Sequence, residues 1–304
     1  MRINFGRPAV GALLLISVLA ACSDTSSVGG AVPVVATTTQ VGFIAAELGG
    51  DAIDLTVLLK PGIEAHDFEI TPADGAAIEQ AALILTSGAG LETWLDDALA
   101  TIGGEDRVLD LSEGIELRAP ADEHEEEFDP HYWMSAPNAI VMVENARDAL
   151  VEAAPAAADG IGQRAEVLIG RLEAADAEIR GLIDEIPADR RKVVTDHDAL
   201  GYFIEEYGLE FVGSVFPSLD VSADPSAQDI EELVNLIREN DVMAIFAESS
   251  VNPQLAEAVA AETGATLSDE PLYTDSLGPA GSGADTLDGM LLHNARVIHD
   301  GLGI

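Results

Sequence analysis

Three histidines and one aspartate stand in short, distinctive contexts. They are His66 in PGIEAHDFEITPAD, His131 in FDPHYWMSAPNA, His197 in VVTDHDALGYFIEEYG and Asp275 in LYTDSLGPAGSGADT. Three imidazoles and one carboxylate complete a four-ligand set for a divalent transition metal. The chain has six histidines in all, so half of its imidazoles fall in this set. A lone histidine is more often a hydrogen-bonded structural residue than a ligand, and the residues taken singly leave both readings open. Their wide separation in sequence excludes a finger or a pair on one helical turn. Any shared site must therefore be assembled by the fold.

The elements that would assemble it alternate. VPVVATT, IDLTVLL, ALILTSG and RVLDLS read as strands of a first half, and RKVVTD, LEFVGSVF and VMAIFAES as strands of a second. Helical patterns lie between them, such as TPADGAAIEQAA, with Thr71 as its cap, Pro72 at its first position and Asp74 approximating a capping box. Alternating βα units imply a parallel sheet in each half. TTTQVGFIAAELGG and TDHDALGYFIEEYG each follow a strand and open a helix, so the halves echo each other. The expected fold is α/β: two similar lobes with parallel sheets flanked by helices, residues 33–158 and 188–304. One long rigid helix joins them within 159–187, its apolar stripe running through Ala165, Leu168, Ile169, Leu172, Ala175, Ile179 and Leu182 until Pro187 ends it. Open α/β sheets bind ligands beyond the carboxyl ends of their strands. That places the site in the cleft between lobes, with His66 and His131 from the first and His197 and Asp275 from the second.

Residues 1–21 read as a signal peptide, with Arg2 and Arg7 before an apolar run too short to span a membrane. The run ends in Leu19-Ala20-Ala21-Cys22, a pattern like a bacterial lipobox in which Cys22 is lipidated. Residues 22–32 then form a Ser/Gly-rich tether. Cys22 is the single cysteine, which excludes an intrachain disulfide and a thiolate metal site. With 55 acidic and 14 basic residues the net charge is −41. No nucleic-acid partner is expected of such a chain, because phosphate binding needs clustered Lys and Arg. The charge is spread along the chain and reads as a solvated acidic shell. It thickens before His131 in an acidic loop, 121–129, with His124, Glu125 and Glu126 as an auxiliary metal-handling candidate or a mobile solvated segment. No phosphate loop, GxGxxG or GxSxG motif occurs.

Taken together the four motifs resemble periplasmic solute-binding family 9, the zinc- and manganese-binding lipoproteins of ABC importers (TroA-like proteins). PGIEAHDFEITPAD is similar to that family's first-ligand segment, with Ala65 and Ile70 where prolines are usual. DPHYW, TDHDALGYFIEEYGL and LYTDSLGPAGSGADT resemble its second, third and fourth, and FAESSVNPQ is a further family-like stretch. The resemblance spans the mature chain. It implies His66, His131, His197 and Asp275 as metal ligands, Glu248 as a neighbouring or alternative carboxylate, and an extracytoplasmic, lipid-anchored monomer serving an ABC permease, with contact to a metallochaperone through the acidic loop as a further option. Asp129 is either an orienting partner of His131 or a turn former before Pro130.

Three nitrogens and one oxygen favour zinc, with manganese as the alternative. Manganese-dedicated members of the family tend to carry a glutamate at the third position, where this chain has His197. The competing reading from another class is a zinc hydrolase, in which Asp275 stands aside and three histidines leave a position open for water. A surface adhesin is neither supported nor excluded. His293 and His299, spaced i,i+6, read as structural or surface residues.

Overall fold

Short β-branched and leucine-rich runs become strands, and the Gly- and Asx-rich segments after them become the loops that carry the site. The computed structural model describes residues 1, 30–66, 68–119, 128–217 and 224–303. Cys22, with its leader and most of its tether, and His124, Glu125 and Glu126 of the acidic loop lie outside the described residues.

The first sheet contains β1 (Val32–Ala36), β2 (Ile53–Val57), β3 (Leu83–Thr86) and β4 (Val108–Asp110), all parallel, in the order β2-β1-β3-β4. Helices α1 (Thr39–Gly49), α2 (Pro72–Gln80) and α3 (Thr93–Ile102) make its crossovers. Thr71 caps α2 as expected: its hydroxyl takes the Asp74 N–H, and the Asp74 carboxylate takes the Thr71 N–H at 2.9 Å.

Beyond α4 (Ala136–Ala153) and the long α5 (Ala158–Glu185) the pattern repeats. Strands β5 (Lys192–Thr195), β6 (Glu210–Ser214), β7 (Ala244–Phe246) and β8 (Thr266–Leu267) are parallel in the order β6-β5-β7-β8. They are crossed by α6 (Gly201–Tyr207), α7 (Ala227–Glu239) and α8 (Gln254–Thr263), and α9 (Leu287–Gly303) closes the fold. The two sheets share one topology, so the two-lobed α/β fold read from alternating elements is the fold found. Strand β8 was not foreseen, because two residues are too short to show a period.

Helix α5 has 28 residues, about 42 Å at 1.5 Å per residue. Its buried stripe is Ile161, Ala165, Leu168, Leu172, Ala175, Ile179 and Ile183. The sequence stripe differs at two places: Ile169 and Leu182 are half-buried, while Ile161 and Ile183 go inside. Ile186 is extended (ψ 127°) ahead of Pro187, which ends the helix. Helices α1, α4 and α9 pack on α5. One apolar core runs from the first sheet through these helices to Leu200 and Phe203 of the second lobe and Phe246 of β7. A smaller core, including Val194, Leu233, Ile237, Ile245 and Val259, fills the space under α7 and α8.

Candidate metal centre

His131 follows β4 through a long connection and precedes a single 3-10 turn, Tyr132–Met134. Its ring is wholly buried. The Asp129 Oδ1 atom accepts both the His131 main-chain N–H (2.9 Å) and, at 2.8 Å, contacts Nδ1. Arg118 donates to the other Asp129 oxygen at 2.7 Å. This leaves Nε2 pointing inward. Asp129 therefore orients the ring as well as shaping the turn. Gly201, the first residue of α6, is where the second lobe meets this pair, since a Cβ there would lie 1.4 Å from Arg118 Nη1.

His197 sits directly beyond β5 and is built in the same way. Glu248, two residues past β7, accepts the His197 main-chain N–H on Oε1 at 2.9 Å. Its Oε2 lies 2.9 Å from Nδ1, an ion-pair contact off the line of a hydrogen bond, and accepts the Thr274 hydroxyl at 2.6 Å. Each lobe thus supplies one imidazole backed by a carboxylate that also holds its backbone. Such partners fix tautomer and ring orientation at metal sites.

His66 is different. It lies in the irregular segment after β2 and is half-buried, whereas His131, His197 and Asp275 are buried. Trp94 of α3 donates to the Ala65 carbonyl at 3.0 Å and meets Phe68 edge-on at 4.9 Å, which ties the segment down. A cavity of about 690 Å³, lined in part by His66, Glu69, Trp94, Asp96 and Asp97, opens at this histidine.

Asp275 occupies the segment between β8 and α9. Ser250 donates to its Oδ2 at 3.0 Å. Its Oδ1 is buried without a hydrogen-bond partner among the described residues, and lies 3.4 Å from both His131 Nε2 and His197 Nε2. His66 Nε2 is 3.4 Å from His131 Nε2. A tetrahedral zinc ion with bonds of about 2.1 Å has ligand-to-ligand edges of about 3.4 Å. The three separations match that edge. The four predicted residues are therefore drawn together, with His66, His131 and Asp275 as one metal-sized group and His197, Glu248 and Asp275 as another sharing its carboxylate.

Electrostatics fit the same picture. Burial opposes charge on His131, but contacts with Asp129 and Asp275 outweigh it and push the imidazole up to about 9. Burial likewise opposes charge on His197, and Glu248 and Asp275 raise it well above the ordinary value. Burial would raise Asp275, yet the two imidazoles hold it well below the usual carboxylate range. Asp196 is pushed up to about 7 by burial and by neighbouring Glu248. So much buried carboxylate draws protons onto the imidazoles. A divalent cation can take over that neutralising role.

His293 contacts the Pro271 carbonyl at 2.9 Å, and His299 faces Glu185 and Asp300, both away from the donor cluster. Sequence reading missed several residues around the centre: Arg118, Thr39, Gln40, Trp133 and Thr274. Trp133 was within reach as the aromatic tail of DPHYW. Arg118 carried no local signal.

Residues 34–301 match the family described as zinc-uptake complex component A, periplasmic. The chain belongs to this family of metal-binding, ABC-importer substrate-binding proteins. The manganese-binding lipoprotein MntA of Bacillus subtilis is 34% identical over 271 residues, covering 87% of this chain and 88% of the relative. The iron-binding protein YfeA of Yersinia pestis is 33% identical over 244 residues, covering 80% and 78%. The solved structure of the periplasmic zinc-binding protein TroA from Treponema pallidum superposes with a TM-score of 0.84 at 29% identity, covering 90% of this chain and 100% of that one. Three relatives named for three metals leave the choice of cation to the chemistry of each centre.

Proposed function

We propose that the protein captures zinc outside the cytoplasm and delivers it to the permease of an ABC importer, tethered to the membrane through lipidated Cys22. His66, His131 and His197 through Nε2, with Asp275 through Oδ1, hold the ion. Asp129 and Glu248 orient two of the imidazoles. The observation that carries this reading is the set of three 3.4 Å donor separations. Each equals one edge of a zinc tetrahedron, and together they link three nitrogens and one oxygen, the donor set suited to zinc.

Manganese is the second reading. It prefers more oxygen ligands and stands below zinc in the divalent affinity order. Glu248 is the residue that would supply the extra oxygen. Its contacts instead face His197 Nδ1, the His197 N–H and Thr274. A hydrolase needs an open ligand position, and with Asp275 as the fourth ligand none is left.

Competitive titration of metal-stripped protein with zinc and manganese tests the choice. Tight zinc binding that outcompetes manganese and collapses in His197→Ala is the expected result. Equal affinity in that variant would remove His197 from the site.

A further inference from the structure

Asp275 belongs by sequence to the second lobe, yet its segment is fastened by the first as well. Indole Nε1 of Trp133 donates to the Thr274 carbonyl at 3.0 Å, and Gln40 Nε2 donates to the same oxygen at 3.1 Å. Leu277 N–H donates to the Thr39 hydroxyl at 2.8 Å, and Gly62 N–H to the Ser276 hydroxyl at 2.9 Å. From the other side, Asn294 of α9 grips Tyr273 through both its N–H (2.9 Å) and its carbonyl (2.7 Å).

We propose that Trp133 and Gln40 are positioning residues for metal binding: by holding the Thr274 carbonyl they set where the Asp275 carboxylate meets the cation. The peptide unit joining Thr274 to Asp275 is planar, so fixing its oxygen fixes the Asp275 N–H and Cα with it. Asp275 Oδ1 has no hydrogen bond of its own among the described residues, so its place depends on that backbone, on the Ser250 hydroxyl that holds Oδ2, and on the cation. The orientation of the Gln40 amide is set as well. The Thr39 hydroxyl donates to Gln40 Oε1 at 3.0 Å while accepting the Leu277 N–H, which turns Nε2 toward Thr274. Trp133 is 1% exposed and Gln40 0%, so neither bond competes with water. The Trp133 ring also meets the His131 ring edge-on at 5.5 Å. One side chain therefore touches a histidine of the first lobe and the segment of the carboxylate.

This inference rests on Asp275 being a ligand. The test is a coupling experiment in the full-length protein, using Trp133→Phe, Gln40→Met and Asp275→Ala singly and in pairs. Zinc affinity is read by competition, and the site's geometry by visible absorption of the cobalt(II)-loaded protein. Trp133→Phe and Gln40→Met are each expected to weaken zinc about 10-fold. Each should also weaken the intense cobalt bands of a tetrahedral site, as water replaces the carboxylate. In the Asp275→Ala background the same changes are expected to cost about twofold or less, since their effect runs through a group already gone. Equal losses in both backgrounds, or unchanged affinity and spectrum, would overturn the proposal. If Trp133→Phe does not fold, Gln40→Met carries the same test. Undiminished zinc affinity in Asp275→Ala alone would instead overturn the metal-site reading, and this inference with it.

Discussion

His131 and His197 come from different lobes and different local structure, yet they are held alike. Each has a carboxylate behind Nδ1 that also binds its main-chain N–H. His66 stands apart: half-buried, in an irregular segment, at the mouth of an open cavity. The contrast separates two tasks. Two imidazoles and Asp275 form a buried, preset frame. On the proposed function, His66 marks the side from which a cation would arrive and leave.

Loss of a frame histidine should have the largest effect. His131→Ala or His197→Ala is expected to weaken zinc binding by more than the roughly 100-fold that bounds orienting partners. His66→Ala is expected to weaken it less and to act mainly on dissociation rate. Stopped-flow exchange with a chelator checks both, and a His66→Ala variant with the slowest release would break the division of tasks.

The orienting carboxylates come next. Asp129→Asn and Glu248→Gln are each expected to cost about 10- to 100-fold in zinc affinity, and by similar factors if the two supports are equivalent. Equilibrium competition measures this directly. A large loss for one and none for the other would show that one lobe holds its imidazole by packing alone.

Protons should leave as zinc enters. With His131 raised to about 9 and His197 also raised, both imidazoles are expected to hold protons at neutral pH in the metal-free protein. Binding should therefore release about two protons at pH 7, seen calorimetrically in buffers of different ionisation heat. Affinity should rise with pH up to about 9. The metal-free fold should respond in the opposite sense. The folded value of His131, about 9, lies above the ordinary 6.5, so its stabilising contribution is complete below pH 6.5 and lost as pH climbs through about 9. Thermal unfolding of the metal-free protein across that window, with Asp129→Asn as control, reads the effect.

The smallest effect is expected at the contact between lobes. Gly201→Ala would push the end of the Arg118 side chain off Asp129 and crowd Asp129 Oδ2 at 2.9 Å. The fold should persist, because a flexible side chain can move aside, and zinc affinity should fall by only a few-fold, on the order of one charge-assisted hydrogen bond acting indirectly.

Much of this was readable from the sequence because it is local. Strand runs, the Thr71 cap, the stripe on α5 and the motifs around the three histidines each declare themselves within a dozen residues or so. The short strand β8 did not, and neither did the fastening of Asp275. Thr39, Gln40 and Trp133 meet Thr274 to Leu277 only after the chain has folded back across 141 to 238 residues, and no pattern in either segment points to the other. Ile169 and Leu182 pack against the core yet stay half-buried for a related reason. Helical spacing gives an apolar face, whereas which edge of that face is covered depends on how α4 and α9 lie against it.

X-ray absorption spectroscopy of the zinc-loaded protein measures the coordination sphere itself. Four ligands are expected, three nitrogens and one oxygen, at about 2.0–2.2 Å, with the oxygen changed in Asp275→Ala. A five- or six-coordinate, oxygen-rich sphere, or one indifferent to loss of Asp275, would contradict a closed tetrahedral cargo site shared between the lobes.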